Sequence, residues 1–191
     1  MIKLTTQQLA QIFNASLIGD GQVVVENINT DTRKALSNSL FFALKGEHFD
    51  AHQYLDKAVE QGATALVVQQ ANTEIATPQL VVADTRLALG QLAKWLREKI
   101  NPRTVAMTGS SGKTTVKEMT ASILQQTAGN PEAVLFTNGN FNNDIGVPLT
   151  LLRLTEQHKF AVIELGANHQ GEIDYTTHLA QPEAALVNNV A

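Results

Sequence analysis

Hydrophobic residues in the first part of the chain occur in short runs separated by polar or glycine-containing turns. Thr5 and Gln8 have the spacing of a capping box, which predicts a helix immediately after Thr5. Asp50 is placed to cap a second helix that ends at Gly62. Strands are predicted at residues 23–25, 40–44, 65–68 and 80–82. These elements indicate a small mixed α/β domain over residues 1–83.

Residues 84–191 alternate continuous apolar runs with amphipathic segments. Thr85 is placed to cap a long helix that Pro102 closes, and another helix follows Gly112. The inward face of that second helix is predicted to carry Val116, Met119, Thr120, Ile123 and Leu124. Strands are predicted at residues 104–107, 134–136, 160–165 and 184–187. Unbroken apolar strands between helices are typical of a parallel sheet covered on both faces, so the fold class is α/β.

Charge and composition exclude several function classes. The 191 residues carry 14 Lys and Arg against 18 Asp and Glu, a net charge of −4 without a basic block. This balance argues against nucleic acid or an anionic membrane as partner. The chain has no cysteine, which excludes disulfides, thiol catalysis and cysteine-based metal sites. The N-terminus lacks the apolar core of a signal peptide, and no apolar run reaches the roughly 18 residues of a membrane span. We therefore predict a cytoplasmic globular protein.

The most specific motif lies between a predicted strand and a predicted helix. Gly109-Ser110-Ser111-Gly112-Lys113-Thr114-Thr115 contains the Gly-x-x-Gly-Lys-Thr core of a phosphate-binding loop. Glycines allow successive backbone N–H groups to face a phosphate, and the helix N-terminus adds about half a positive charge. We expect Lys113 to reach the β- and γ-phosphates of ATP and the Thr114 hydroxyl to bind Mg²⁺. Met107 stands where the longer form of the motif has its first glycine.

A carboxylate follows the apolar run at residues 160–163. Ligand-binding residues of parallel sheets emerge at the carboxyl ends of the strands, so Glu164 is a candidate Mg²⁺ ligand, directly or through water. His169 is either a further residue of the same pocket or a structural hydrogen-bonding residue. The histidines do not have the spacing of a zinc site.

Residues 137–144 read Thr-Asn-Gly-Asn-Phe-Asn-Asn-Asp, with four asparagines in six residues. Asn-Gly commonly forms a hairpin turn, but no alternating strand follows it here. Side-chain amides both donate and accept hydrogen bonds, which favours a loop around a polar substrate. The alternative is a solvated turn. We call residues 137–144 the asparagine-rich segment.

Four segments together resemble the Mur ligase family, which comprises ATP-dependent amino-acid and peptide ligases of bacterial cell-wall synthesis. They are Asp31-Thr32-Arg33 with residues 40–50, residues 108–115, residues 139–152 and residues 164–173. The resemblance spans essentially the whole chain, and its last two segments are the most specific because the phosphate loop is common to the family. It implies an N-terminal substrate domain over residues 1–83, followed by a P-loop-type ATPase domain with a parallel sheet over residues 84–191.

The resemblance also implies the reaction and the site residues. ATP and Mg²⁺ would be the cofactors. UDP-N-acetylmuramoyl-tripeptide and D-alanyl-D-alanine would be the substrates, joined through an acyl phosphate by a monomeric enzyme. Gly109–Thr115 would hold ATP, and Thr114 and Glu164 would hold Mg²⁺. With the residue-based candidate His169, the predicted catalytic residues are Lys113, Glu164 and His169. The implied substrate-binding residues are Thr32, Arg33, Lys45 and Gly46 for the uridine diphosphate, and Thr137, Asn138, Asn140, Asn142 and Asn143 for the muramoyl portion or the phosphoryl-transfer centre.

In the family, the central domain continues past the strand matched by residues 184–187. A histidine for a second Mg²⁺ and a carbamylated lysine follow there, and a third domain comes after them. We therefore expect a truncated ATPase domain and no ligase activity from the chain alone.

Three other functional classes each account for part of the sequence. A P-loop kinase or nucleotide hydrolase would account for Lys113, Thr114 and Glu164, but not for the N-terminal domain or the asparagine-rich segment. A nucleotide-sugar-binding module without catalysis would account for the N-terminal domain. A folate–glutamate ligase of the same family would share the phosphate loop but lack the segment at residues 40–50.

Overall fold

The computed structural model describes residues 3–34, 37–46 and 49–190. The chain separates into two compact units, the first ending at Leu92 and the second beginning at Ala93. This division falls inside helix α3 (Thr85–Ile100), whereas the sequence-based boundary after residue 83 lies just before that helix. Within the described ranges, no helix has both the length and the apolar character needed to cross a bilayer.

The first unit is built on a five-stranded mixed sheet. Its strand order is β2-β7-β6-β5-β4, in which β2 pairs antiparallel with β7 and the other neighbours pair in parallel. Strands β1 and β3 form a separate antiparallel pair. The elements are β1 (Leu4–Thr5), α1 (Thr6–Phe13), β2 (Ser16–Ile18), β3 (Val24–Val25), β4 (Asn27–Asn29), β5 (Ser39–Phe42), α2 (Leu55–Glu60), β6 (Ala63–Val68) and β7 (Gln79–Val81). The predicted mixed α/β domain is confirmed.

Local capping explains where the first two helices begin. The Thr5 hydroxyl accepts the Gln8 N–H at 3.2 Å, and the Gln8 side chain accepts the Thr5 N–H at 2.9 Å, as the predicted capping box requires. The Asp50 carboxylate accepts the His52 N–H at 3.0 Å and caps a 3₁₀ turn, Ala51–Tyr54, that leads into α2. The backbone then turns at Gly62, whose φ of +99° favours glycine.

The cap of α3 is Asp84, so the prediction that Thr85 caps this helix is wrong. The Asp84 carboxylate accepts the N–H of Arg86 at 2.7 Å and that of Leu87 at 3.1 Å. The Thr85 hydroxyl is buried and donates instead to the Ala43 carbonyl at 2.9 Å. A hydroxyl inside the core needs a partner there, so the preceding aspartate takes the capping role.

The second unit contains a four-stranded sheet in the order β11-β8-β10-β9. All three pairings are parallel, which confirms the predicted sheet. The elements are β8 (Arg103–Thr108), α4 (Lys113–Ala128), β9 (Val134–Phe136), α5 (Gly146–Leu151), β10 (Phe160–Glu164), α6 (Glu172–Ala180) and β11 (Ala184–Val187). The carboxyl ends of β8, β9 and β10 therefore meet at one edge, where the phosphate loop, the asparagine-rich segment and Glu164 begin.

Helix α4 packs on the sheet with only part of the face that its apolar residues predict. Val116 and Leu124 are partly buried against the core, as predicted, and Thr120 is also half-buried. Met119 and Ile123, which were expected to point inward, are 61% and 62% exposed. Lys117 and Ala121 are the buried residues of this helix. The apolar periodicity missed Lys117 because a lysine counts as polar in the pattern even when it is buried.

Replacing Asp84 with alanine should destabilise the fold through the loss of the α3 cap. We expect Asp84→Ala to lower the free energy of unfolding by about 0.5–2 kcal/mol, and Asp84→Asn to retain most of the cap. Urea denaturation followed by circular dichroism measures both variants. An alanine variant as stable as the wild type would show that the Asp84 carboxylate does not cap α3.

Candidate functional site

Residues 109–112 form the tight connection between β8 and α4. Gly109 and Gly112 have φ values of +138° and +75°, a region that side chains disfavour. Lys113 is the first residue of α4, and its Nζ donates to the Gly109 carbonyl at 2.6 Å. Gly112 stands at the N-cap position and offers no side chain to the first N–H groups of the helix. The N-terminus of α4 is therefore open to an anion.

The chain after β11 lies against this phosphate loop, which sequence reasoning missed. The Asn188 side chain donates to the Ser111 carbonyl at 2.9 Å, and the Asn189 carbonyl accepts the Ser110 N–H at 2.7 Å. A Cβ placed on Gly109 would lie 2.8 Å from the backbone nitrogen of Asn189, and a Cβ on Gly112 would lie 2.4 Å from the side-chain nitrogen of Asn188. Gly109 is therefore required by this contact with backbone atoms as well as by its backbone angle. At Gly112 the contact is with a side chain, and the backbone angle is the stronger requirement. The sequence signal was weak, since Asn188-Asn189 resembles any polar end of a strand.

Glu164 is the centre of the candidate site. Its side chain is buried, with 2% of the residue exposed. One carboxylate oxygen accepts the Thr114 hydroxyl at 3.0 Å, and the other accepts the Asn142 side-chain amide at 2.8 Å. The Glu164 N–H donates to the Thr137 hydroxyl at 3.0 Å. The structure thus brings together four residues that the sequence had singled out from three separate segments.

The oxygens at this position fit a magnesium ion. Among the residues that the structure describes, no three His, Cys, Asp or Glu side chains cluster as a metal site. Mg²⁺ at nucleotide sites nevertheless uses only one or two protein ligands and takes its other ligands from phosphates and water. The Thr114 hydroxyl and the Glu164 carboxylate are hard oxygen donors of this kind, next to the loop that would hold the phosphates.

A cavity of about 490 Å³ opens beside the phosphate loop. Its walls come from the loop itself, Asn142, residues 166–168 and the segment after β11. Gly166 brings two of these walls together, because its N–H donates to the Asn142 carbonyl at 2.7 Å and a Cβ there would lie 2.8 Å from the Asn142 side chain. The cavity therefore brings the phosphate loop and Asn142 to one space.

Glu172, the first residue of α6, is a second residue that sequence reasoning missed. Its carboxylate accepts the backbone N–H groups of Asp144 at 3.2 Å, Asn168 at 2.8 Å and His169 at 3.2 Å. Burial acts to raise the pKa of Glu172, but these three donors outweigh it, so the pKa lies below its usual value. Glu172 therefore ties the asparagine-rich segment to the loop after β10. An acid before an apolar helical stretch was the available signal.

Several other predicted site residues have different surroundings. The His169 side chain is exposed and its backbone serves the Glu172 contact. The Asn143 side chain accepts the Gly146 N–H at 2.8 Å and so supports the start of α5. Asn140 is exposed, and Asn138 lines a separate cavity of about 150 Å³.

The predicted uridine diphosphate residues of the first unit fall at two cavities. Thr32 and Arg33 line one of about 610 Å³, together with Phe49 and Tyr54, whose rings stack at 5.5 Å. Lys45 lines another of about 520 Å³.

Arg33 and Gly46 each make a short-range contact in the first unit. The Arg33 guanidinium donates to both Asp31 oxygens at 2.8 Å and holds the pKa of that carboxyl well below its usual range. Gly46 donates its N–H to the Phe49 carbonyl at 2.7 Å and lines neither cavity.

The second unit has a phosphate loop at the carboxyl edge of a parallel sheet, with a threonine and a buried glutamate beside it. This arrangement is that of an α/β domain of the P-loop class. Two family models match the chain: the Mur ligase middle domain matches residues 107–191, and the Mur ligase family, catalytic domain, matches residues 24–97. The chain belongs to the Mur ligase family.

Two similar proteins share the same name. The chain is 81% identical over all 191 residues to the UDP-N-acetylmuramoyl-tripeptide–D-alanyl-D-alanine ligase of Haemophilus influenzae, of which it covers 42%. It is 57% identical to the ligase of that name from Escherichia coli, of which it covers 41%. The chain thus spans about two-fifths of the length of these relatives.

Solved structures agree with these matches. The fold superposes on a crystal structure of MurF from Acinetobacter baumannii with a TM-score of 0.90 and 47% identity, covering 97% of this chain and 40% of that one. A MurF ligase from Thermotoga maritima in complex with ADP gives a TM-score of 0.76 at 28% identity, covering 86% of this chain and 38% of that one. The family resemblance found in the sequence is confirmed.

The lowered pKa of Glu172 predicts a pH-dependent contribution to stability. Glu172→Gln keeps one acceptor but loses the charge, so we expect a loss of about 1–3 kcal/mol in unfolding free energy at neutral pH. The contribution of the carboxylate is present above its ordinary pKa of 4.5 and is lost as the pH falls through the lower folded-state value. The difference between wild type and variant should therefore shrink below pH 4.5.

Denaturant titrations at a series of pH values measure this difference. Glu156→Gln changes an exposed glutamate of the same unit and serves as the control. A Glu172→Gln variant that is as stable as the wild type at pH 7 would contradict the anchoring role of Glu172.

Proposed function

We propose that this chain provides the nucleotide site and the UDP-sugar site of an ATP-dependent ligase that adds D-alanyl-D-alanine to UDP-N-acetylmuramoyl-tripeptide. The observation that carries the proposal is the buried Glu164, hydrogen-bonded to Thr114 of the phosphate loop and to Asn142 of the asparagine-rich segment. The names of the most similar relatives support the choice of substrates.

Gly109–Thr115 binds ATP in this proposal. Lys113 leaves the Gly109 carbonyl, which it contacts at 2.6 Å, for the β- and γ-phosphates. The ADP complex of the Thermotoga maritima relative supports an adenine nucleotide as the ligand. Thr114 and Glu164 would hold Mg²⁺, which when bound neutralises charge on the phosphate oxygens.

The proposed reaction activates a carboxylate, which is a poor electrophile. The terminal carboxylate of the tripeptide takes the γ-phosphoryl group of ATP to form an acyl phosphate and ADP. The amine of D-alanyl-D-alanine then attacks the acyl carbon, the C–O bond to phosphate breaks, and an amide, inorganic phosphate and a proton result. Positioning of the charged partners supplies most of the catalysis in such a transfer.

Polar residues around the phosphoryl-transfer centre would orient the acceptor carboxylate. Asn142 and Thr137 are held against Glu164, and Asn138, Asn140, Asn143 and His169 are proposed to contact the muramoyl peptide or the transferred phosphate. In the first unit, Thr32, Arg33, Lys45 and Gly46 are proposed to bind the uridine diphosphate. Since the phosphate loop, Glu164 and Asn142 come from one chain, we propose that the enzyme is a monomer. We also propose that it is located in the cytoplasm.

Removing the Lys113 ammonium should weaken nucleotide binding. A charge-assisted hydrogen bond contributes about 1.5–3 kcal/mol, so we expect Lys113→Met to bind Mg²⁺·ATP roughly 10- to 100-fold more weakly than the wild type. Isothermal titration calorimetry measures the affinity, and Lys159→Met, the same change at an exposed position of the second unit, should bind like the wild type. Equal affinities for Lys113→Met and Lys159→Met would rule out the phosphate-loop assignment.

The proposed binding of the UDP-sugar by the first unit can be tested separately. We expect the wild-type chain to bind UDP-N-acetylmuramoyl-tripeptide, and Arg33→Met to bind it about tenfold more weakly, because Arg33 is a cation on the cavity that also holds two stacked aromatic rings. Lys3→Met, another exposed cation of the first unit, is the control. Affinity for ATP without affinity for the UDP-sugar would favour a P-loop kinase, and the reverse would favour a nucleotide-sugar-binding module.

A further inference from the structure

Lys117 is a buried cation to which the proposed reaction assigns no role. It lies one turn into α4 after the phosphate loop, and only 1% of its surface is exposed. Moving an ammonium group out of water is unfavourable unless it is paired and hydrogen-bonded. The groups that the ammonium contacts therefore indicate why this lysine is buried.

The Lys117 ammonium contacts three groups. It donates to the Thr137 carbonyl at 2.7 Å and pairs with a Glu118 oxygen at 2.9 Å. It also lies 6.0 Å from the centroid of the Phe136 ring. The Glu118 side chain is largely exposed, so the contact that Lys117 makes inside the protein is the one to Thr137.

Thr137 is the junction between β9 and the asparagine-rich segment. Its N–H donates to the Val162 carbonyl at 3.1 Å, and its hydroxyl accepts the Glu164 N–H at 3.0 Å. Lys117 fixes the third polar group of this residue, its carbonyl. Through Thr137, the ammonium is linked to the backbone of Glu164 and to the segment that delivers Asn142.

We propose that Lys117 is a positioning residue for the magnesium and phosphate site, acting through Thr137 on Glu164 and Asn142. Replacing a whole buried ion pair with apolar side chains of similar volume is often neutral or stabilising, whereas removing one partner leaves the other group unsatisfied. In Lys117→Met the group left without this donor is the Thr137 carbonyl, since the Glu118 side chain is largely exposed. A methionine would fill the same space in α4. What methionine cannot do is donate to the Thr137 carbonyl at the start of the asparagine-rich segment.

The test distinguishes a change in the positions of Glu164 and Asn142 from a general loss of folding stability. The inference rests on the proposed nucleotide site, so one measurement uses nucleotide and one does not. With calorimetry, we expect Lys117→Met to bind Mg²⁺·ATP about tenfold more weakly and ATP without Mg²⁺ within about twofold of the wild type. Thr137→Val should reproduce the loss, Lys117→Arg should recover part of it, and Lys159→Met should bind like the wild type.

Amide hydrogen exchange of the nucleotide-free chain gives the second measurement. In Lys117→Met we expect exchange to rise about tenfold or more at residues 137–143 and at the Glu164 amide. The variant should stay folded, with a thermal midpoint lowered by a few degrees because the Thr137 carbonyl loses its donor. Unchanged exchange at these amides together with unchanged Mg²⁺·ATP affinity would overturn the proposal. If Lys117→Met and Lys117→Arg both unfold and Thr137→Val leaves Glu164 unaffected, Lys117 is structural and the proposal is wrong. A wild type that binds no ATP would refute the proposed function, while exchange would still decide on Lys117.

Discussion

The second unit depends on one constraint, the need to satisfy a buried carboxylate at the end of a central strand. Glu164 lies inside the protein, where an unpaired charge would be strongly unfavourable. The Thr114 hydroxyl and the Asn142 amide each donate to one of its two carboxylate oxygens, and the Thr137 hydroxyl accepts its N–H. The start of α4, the end of β9 and the asparagine-rich segment are therefore held to the same few atoms. The edge of the sheet that is proposed to bind nucleotide is built around this group.

Buried charges, more than apolar contacts, fix the irregular segments at this edge. Glu172 accepts three backbone N–H groups from two different loops, and Lys117 donates to the carbonyl from which one of those loops departs. Segments rich in asparagine and glycine have few large side chains to pack, so directional hydrogen bonds set their course. This explains why a polar loop can present Asn142 at a defined place without regular secondary structure.

The sequence predicted the parts of the molecule that obey local rules. The capping box at Thr5, the unbroken parallel strands and the phosphate loop follow from spacing alone, and the strand-end rule identified Glu164. Where tertiary context decides, prediction failed. Thr85 does not cap α3 but donates to a carbonyl in the core, and Met119 and Ile123 of α4 are exposed while Lys117 is buried. The Asn188 contact to the phosphate loop joins segments far apart in the chain, and no local pattern reports such a pairing.

The contact between the phosphate loop and the segment after β11 has a consequence for protein engineering. Part of the loop's shape comes from outside the heptapeptide, because Asn188 and Asn189 occupy the space that its glycines leave open. Transplanting residues 109–115 into a foreign strand–helix connection would carry the glycines without the asparagines that rest on them. A graft that preserves the loop's conformation must therefore include a neighbouring parallel strand ending in this asparagine pair, so the transferable unit is two strands and a helix.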